Sequence, residues 1–246
     1  MKVELERKIE YFEVNPGFRI TLASLFRRLQ ECAVRHSELA GFGTENLVQS
    51  GHAWVLNRIG VTVLKSPKYL ESLKVVTWHR ETGGFRSYRD FEVFSGSEKV
   101  AEASSLWIFA DLKTRKIVPV PKDAVAAYTT ETDKVEGLNI ESWRPHIKFS
   151  PSFSTEITMR SSDFDPLGHV NSAVYFDYIE TLLYSRFSDP PEVKTIMIQF
   201  AKEVGMGVQR INAGLEINQD SCLFRLYNHD TVFTSGRLEF HARQRS

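Results

Sequence analysis

A long apolar helical stripe followed by an unbroken run of strand-like segments occurs twice along this chain, and that repeated order constrains the fold more than any other feature. Within residues 21–40, Leu22, Leu25, Phe26, Leu29, Cys32, Ala33 and Leu39 recur near the i, i+3, i+4, i+7 spacing that lines one helix face, and Gly41 closes the helix. Four stretches rich in β-branched and aromatic residues follow, at 54–64, 73–81, 86–94 and 100–110, with Gly83-Gly84 and Ser95-Gly96-Ser97 predicted as hairpin turns. From Pro119 to about Pro145 the pattern decays into a polar, proline-flanked stretch with at most a short helical piece. The cycle then resumes with an extended segment at 154–161, a helix at about 171–188, and strands near 193–203, 209–217, 222–227 and 231–242. One long helix followed by antiparallel strands implies an α+β unit in which a curved sheet wraps a central helix and buries its apolar stripe. The expected layout is an N-terminal domain at 1–125, a linker at 126–146 and a C-terminal domain at 147–246.

Composition narrows the class. The 246 residues are 42% apolar and 25% charged, enough to bury one or two ordinary cores, which excludes disordered and fibrous chains. Thirty-one Lys plus Arg balance thirty-one Asp plus Glu, so no bulk positive field is available to hold nucleic acid. The two cysteines, Cys32 and Cys222, form neither a CxxC nor a Cys/His cluster, which points to a reducing compartment without structural zinc. The N-terminus alternates charged and apolar residues, and no apolar run approaches the roughly 18 residues of a membrane span, so a cytoplasmic, non-spanning protein is expected.

The repeat extends to residues. Residues 13–25 (EVNPGFRITLASL) lie over 163–176 (DFDPLGHVNSAVYF) with a one-residue gap before the glycine, which sets Pro16 over Pro166, Gly17 over Gly168, Asn15 over Asp165 and Phe18 over His169. Acid and imidazole occur only in the second copy, so chemistry is expected there and a structural or substrate-holding role in the first. Residues 163–171, between an expected strand and a helix, form the densest polar cluster. Pro166 and Gly168 shape a tight turn, and free amides at a helix start can polarise an oxygen. Asn171 or Ser172 can equally cap that helix, and His169 can be a satisfied, half-buried histidine, yet it shares a short loop with two carboxylates that can orient its ring and raise its basicity. No second histidine lies near it, so metal binding is not expected.

The segment DFDPLGHVNSAVYFDYIET resembles the D-x-D-x-x-x-HVNN-x-x-Y signature of hotdog-fold thioesterases, with Ser172 in place of the last Asn. The two-copy layout, the 54–94 stretch with its proline turn, "TW" and "YRDF", and SSLWIFADLKTRKIVPVP are similar to the acyl-acyl carrier protein (acyl-ACP) thioesterases. The resemblance implies two tandem hotdog domains, the N-terminal one substrate-holding and the C-terminal one catalytic. It carries an Asp and a His of the family's loop onto Asp165 and His169, and a Glu on a following strand onto Glu203. The family's Asn is replaced by Leu167, which cannot hydrogen-bond through its side chain, and the plant members' Cys after the Glu is Val204 here.

Thioester hydrolysis needs an activated water and a polarised carbonyl, but no metal or organic cofactor. The expected roles are Glu203 or Asp165 as base, His169 as its hydrogen-bonded partner, amides near Gly168 and His169 as carbonyl clamp, and Gly168 and Asn171 as substrate-binding residues. The first-half stripe with Trp54, Leu56 and Ile59 either lines an acyl slot or is ordinary core, since periodicity reads the same for both. Arg27, Arg28, Arg35, Arg86, Arg89, Lys113, Arg115 and Lys116 offer a basic patch for acyl carrier protein, or a plain solvated surface. The expected partners are acyl carrier protein and a fatty acyl thioester, with the chain a monomer or homodimer. An acyl-CoA thioesterase and a non-catalytic acyl- or carrier-binding protein are the alternatives; a hydratase fits less well, because Asp165 and His169 are four apart where that class has five.

Overall fold

The computed structural model describes residues 1–128, 130–219 and 221–242. The chain divides into two compact units, Met1–Ser142 and Trp143–Ser246.

The first unit runs β1 (Lys2–Lys8), α1 (Leu22–Leu39), α2 (Thr44–Gln49), β2 (His52–Val63), β3 (Ser72–Gly83), β4 (Arg86–Ser95), β5 (Glu98–Asp111), β6 (Lys116–Ile117) and α3 (Lys122–Ala127). Its antiparallel sheet has the order β1-β3-β4-β5-β2, with β6 added to β5. Helix α1 starts where Thr21 Oγ1 accepts the Ser24 amide (3.1 Å) and ends before Gly41, whose φ of +79° suits glycine. Leu25, Phe26, Leu29 and Cys32 of its stripe are buried, and the helix packs on β1 and β3. Burial of each large apolar side chain contributes about 1.5–3 kcal/mol, which outweighs any local propensity. Both expected hairpins are present, and Gly84 and Gly96 supply the positive φ their turns need.

Strand β1 had no reading in the sequence, because only Val3 of its residues is buried. A backbone ladder from Lys2↔Trp78 to Lys8↔Ser72 holds it at the sheet edge. Within the stretch expected as a linker, Val135, Leu138 and Ile140 are buried on the first unit. Trp78 Nε1 donates to the Asp133 carbonyl (2.8 Å), and the Val135 amide donates to Asp90 Oδ2 (3.0 Å). Three isolated apolar anchors among polar residues carry no period, so this strap was invisible to pattern.

The second unit runs β7 (Phe153–Thr158), α4 (Val174–Arg186), β8 (Val193–Phe200), β9 (Arg210–Ile217), β10 (Ser221–Asn228) and β11 (Thr231–Phe240). Its antiparallel order, β7-β9-β10-β11-β8, repeats that of the first unit strand for strand. Helix α4 packs on β7 and β9, and its Phe176, Ile179 and Leu182 are buried. Each unit is therefore a hotdog, a helix against a curved antiparallel sheet. Strand β8 ends at Phe200, so Glu203 stands in the following loop rather than on a strand as expected.

The register of the repeat differs from the gapped alignment. Val14 bridges Ile20 and Phe164 bridges Val170, so the two loops have equal length and every position is offset by 150. Gly168 (φ +76°) therefore corresponds to Phe18 (φ +56°), Leu167 to Gly17, and His169 to Arg19. Matching glycine to glycine misled the alignment because the left-handed turn position is filled by a phenylalanine in one copy.

Candidate active site

The loop at 164–170 is pinned at its root. Asp163 is buried and accepts from Arg160 N and Nε (both 2.8 Å) and from the Tyr178 hydroxyl of α4 (2.7 Å). Burial and the Asp163 charge push the Tyr178 phenol far above its ordinary range, so it stays a neutral donor. The first unit repeats the device with Glu13, which accepts from the Glu10 amide (2.8 Å) and Arg28 Nε (2.9 Å). Burial alone would raise the Glu13 carboxyl, but the Arg28 and Glu10 bonds outweigh it and hold the group below the usual range. Asp163 thus faces Arg160 and Tyr178 and does not orient His169.

Asp165 shapes the loop itself. Its Oδ1 accepts the amides of Leu167 (2.9 Å) and His169 (3.4 Å), while its own amide donates to the His169 carbonyl (2.9 Å). Asn15 does the same in the first unit, accepting from Gly17 (2.9 Å) and Arg19 (3.1 Å). The shared turn requires an acceptor oxygen at this position, not a charge.

His169 then meets the loop after β8. It bridges Gly205, and the Val170 amide donates to the Val204 carbonyl (2.9 Å). This brings His169 Nε2 to 3.1 Å from Glu203 Oε2, with the imidazole side chain 18% exposed and the carboxylate 44%. An ionised carboxylate only accepts, so Nε2 carries the proton in this pair. In the first unit the Ile20 amide donates to Pro67, which makes Ser66 the counterpart of Glu203, and Arg19 Nη1 donates to the Ser66 carbonyl (3.1 Å). The acid–imidazole pair exists in the second copy alone.

The remaining expected residues are placed differently. The Gly168 amide, expected to meet a carbonyl oxygen, donates to the Asp165 carbonyl (2.9 Å), and the His169 amide donates to Asp165 Oδ1 at 3.4 Å. Gly168 contributes its left-handed conformation, and a Cβ there would lie 3.4 Å from Met206 Cε. The Asn171 side chain accepts the Ala173 amide (2.9 Å) and its own amide donates to the Asp163 carbonyl (2.9 Å), so both groups serve the entry into α4. Leu167 is 36% exposed, and nothing about its side chain supplies a hydrogen bond.

Tyr175 of α4 is the tyrosine of the D-x-D-x-x-x-HVNN-x-x-Y signature, where it was assigned no role. It is buried edge-on to Phe200 (5.3 Å) and hydrogen-bonded by the Val204 backbone. Burial first, then the Glu203 and Asp165 charges, push its phenol well above the ordinary range. It fixes the loop that carries Glu203. Among the described residues no three His, Cys, Asp or Glu side chains come together as metal ligands.

Residues 2–128 match the family description "Acyl-ACP thioesterase N-terminal domain", and residues 148–241 match "Acyl-ACP thioesterase C-terminal domain". A chloroplastic palmitoyl-acyl carrier protein thioesterase of Arabidopsis thaliana is 25% identical over 209 residues, 80% of this chain and 51% of the relative. A chloroplastic dodecanoyl-[acyl-carrier-protein] hydrolase of Cinnamomum camphora is 24% identical over 217 residues, 80% of this chain and 55% of the relative. The chain spans about half the length of the curated relatives it matches. Among solved structures, an acyl-ACP thioesterase from Bacteroides thetaiotaomicron superposes with TM-score 0.86 at 22% identity, covering 98% of both chains. The 12:0-ACP thioesterase from Umbellularia californica gives TM-score 0.86 at 18% identity over 98% of this chain and 97% of that one.

Proposed function

Because this chain belongs to the acyl-ACP thioesterase family, we propose that it hydrolyses the thioester of a fatty acyl group carried on acyl carrier protein, releasing the free acid. The observation that carries the reading is the His169 Nε2–Glu203 Oε2 contact of 3.1 Å at the loop held by Asp165. Glu203, the more exposed of the two, takes a proton from water as the oxygen attacks the thioester carbon. His169 orients the carboxylate, and the proton that Glu203 has taken passes to the departing thiolate, which leaves as the thiol and restores the carboxylate. Asp165 is a positioning residue, and Glu203 the base. The cytoplasm is the proposed setting, supported by the two buried, free cysteines and by the lack of any described helix long and apolar enough to cross a membrane. Acyl carrier protein is the proposed partner, with the chain a monomer or homodimer.

The test is thiol release from purified protein offered acyl-ACP and acyl-CoA in parallel at graded chain lengths. Acyl-ACP is the expected better substrate, and Glu203→Gln lowers turnover by roughly 10²- to 10⁴-fold, as is typical of general acid–base groups, while circular dichroism is unchanged. Preference for acyl-CoA would keep the chemistry and remove the carrier. No release from any thioester would leave a non-catalytic acyl-binding protein, the reading that Leu167 favours.

A further inference from the structure

The interior of the first unit holds a charged group that the hydrolytic reading does not use. Arg89 lies on β4 with its side chain turned toward α1 and is only 5% exposed. Its Nη1 donates to His36 Nδ1 (2.6 Å) and Thr77 Oγ1 (3.4 Å), both on fully buried residues. Its Nε and Nη2 meet no acceptor among the described residues, and the guanidinium has no carboxylate partner. The adjacent Asp90 points through the other face of the sheet, where it accepts from Ser104 (2.6 Å) and the Val135 amide. Burial pulls Arg89 down to about 10, which still leaves it cationic at neutral pH.

Arg89 borders a cavity of about 60 Å³, walled by Ser37, Trp54, Ser87, Trp107 and Tyr128. A water needs only about 10–15 Å³ of such space, so the cavity admits a larger group. Its hydroxyls are also uncommitted. The hydroxyl of the buried Ser87 makes no hydrogen bond among the described residues, and Ser37 Oγ accepts from the Tyr128 hydroxyl (3.1 Å) while keeping its own hydrogen. The site therefore offers the Nε/Nη2 edge of a guanidinium, a fork that matches the two oxygens of a carboxylate, and two hydroxyls between aromatic walls.

We infer that this cavity is a carboxylate-binding subsite, in which the Nε and Nη2 atoms of Arg89 take the two oxygens of a small organic carboxylate and the Trp54 and Trp107 rings cover its apolar part. Two sources present that chemistry: a free short-chain acid, and a carboxylate at the far end of a carrier-bound acyl group. The first source is independent of the Glu203 chemistry, and the second rests on the proposed hydrolytic function.

The experiment uses the full chain. Trp54 and Trp107 make intrinsic fluorescence a direct report of occupancy, and calorimetry gives the stoichiometry. Acetate, propionate and butyrate are titrated against the corresponding primary alcohols, alongside a carboxyalkyl thioether of pantetheine that cannot be hydrolysed. The expected result is saturable binding of carboxylates at least about tenfold tighter than of alcohols, as a charge-assisted bidentate contact requires. Arg89→Gln abolishes that preference with circular dichroism unchanged. If Arg89→Gln does not fold, Ser87→Val serves, and it weakens carboxylate binding severalfold while leaving alcohol binding nearly unchanged. Saturation by butyrate identifies the free acid as ligand, and saturation by the thioether alone identifies the acyl terminus. Equal affinity for carboxylates and alcohols, binding that survives Arg89→Gln, or no binding would overturn the inference. Titration of Glu203→Gln separates this outcome from failure of the hydrolytic reading, since that variant retains carboxylate binding.

Discussion

At the scale of single residues, two copies of one turn separate shape from chemistry. Asn15 and Asp165 fold equivalent loops with the same pair of acceptor contacts, so the charge of Asp165 is not what holds its loop. Asp165→Asn should therefore match the parent chain in denaturant unfolding to within about 0.5 kcal/mol, as for a substitution that preserves its bonds. Asp165→Ala strands two amides and should cost about 1–2 kcal/mol, the range for a lost capping oxygen. Equal losses for both variants would mean that the charge matters to stability after all. Gly168→Ala should cost about 1–2 kcal/mol, because φ +76° is strained for any residue with a Cβ and Met206 stands against the added carbon. Phe18 tolerates the same turn at φ +56°, so the variant is expected to fold.

At the scale of elements, each helix is tied to the loop it follows by a buried polar clasp as well as by its apolar stripe. In the second unit that clasp is the Tyr178 hydroxyl on Asp163. Tyr178→Phe removes the donor and keeps the ring, which should cost about 1–3 kcal/mol for a buried carboxylate left short of a hydrogen bond. It should also lower turnover, because Asp163 roots the loop that presents His169. Loss of stability without loss of activity would show that the loop holds itself. The helices and most strands were legible because burial imposes a period of 3.6 or 2 on their residues. Strand β1 was not, since a backbone ladder at a sheet edge needs only one buried side chain. Glu203 was expected on a strand and lies beyond one, because the loop after β8 is set by Val204 and Tyr175 rather than by alternation.

At the scale of the whole molecule, the two units share one topology and divide its uses. The first unit carries the acid-sensitive interior. Burial, with the Arg89 charge, pushes His36 down to about 3 and His79 down to about 4, so both are neutral in the folded chain at pH 5. An unfolded histidine binds a proton near pH 6.5, so the unfolded state holds more protons between about pH 6.5 and 4, and stability falls as pH drops through that window. Denaturant unfolding at pH 7.5 and 5.0 should show a loss on the order of 1–3 kcal/mol, and His79→Gln should reduce it. Asp90 works the other way, since burial raises its carboxyl. A flat profile from pH 7.5 to 5.0 would mean that the histidines are charged in place.

What the sequence determined by itself is the architecture and the family: a stripe and a run of strands, twice, and the polar segment at 163–171, because periodicity and turn chemistry are local properties. Tertiary structure decided which of those polar groups meet. The Asp165, Gly168 and Asn171 groups are spent inside their own loop, while His169 and Glu203, 34 positions apart, meet only because the loop after β8 is laid beside the turn. Arg89, one of several arginines offered as surface charge, is instead buried on the inner side of β4 beside His36. Contacts between segments distant in the chain leave no period behind them, and the direction in which a polar side chain points is fixed by packing alone.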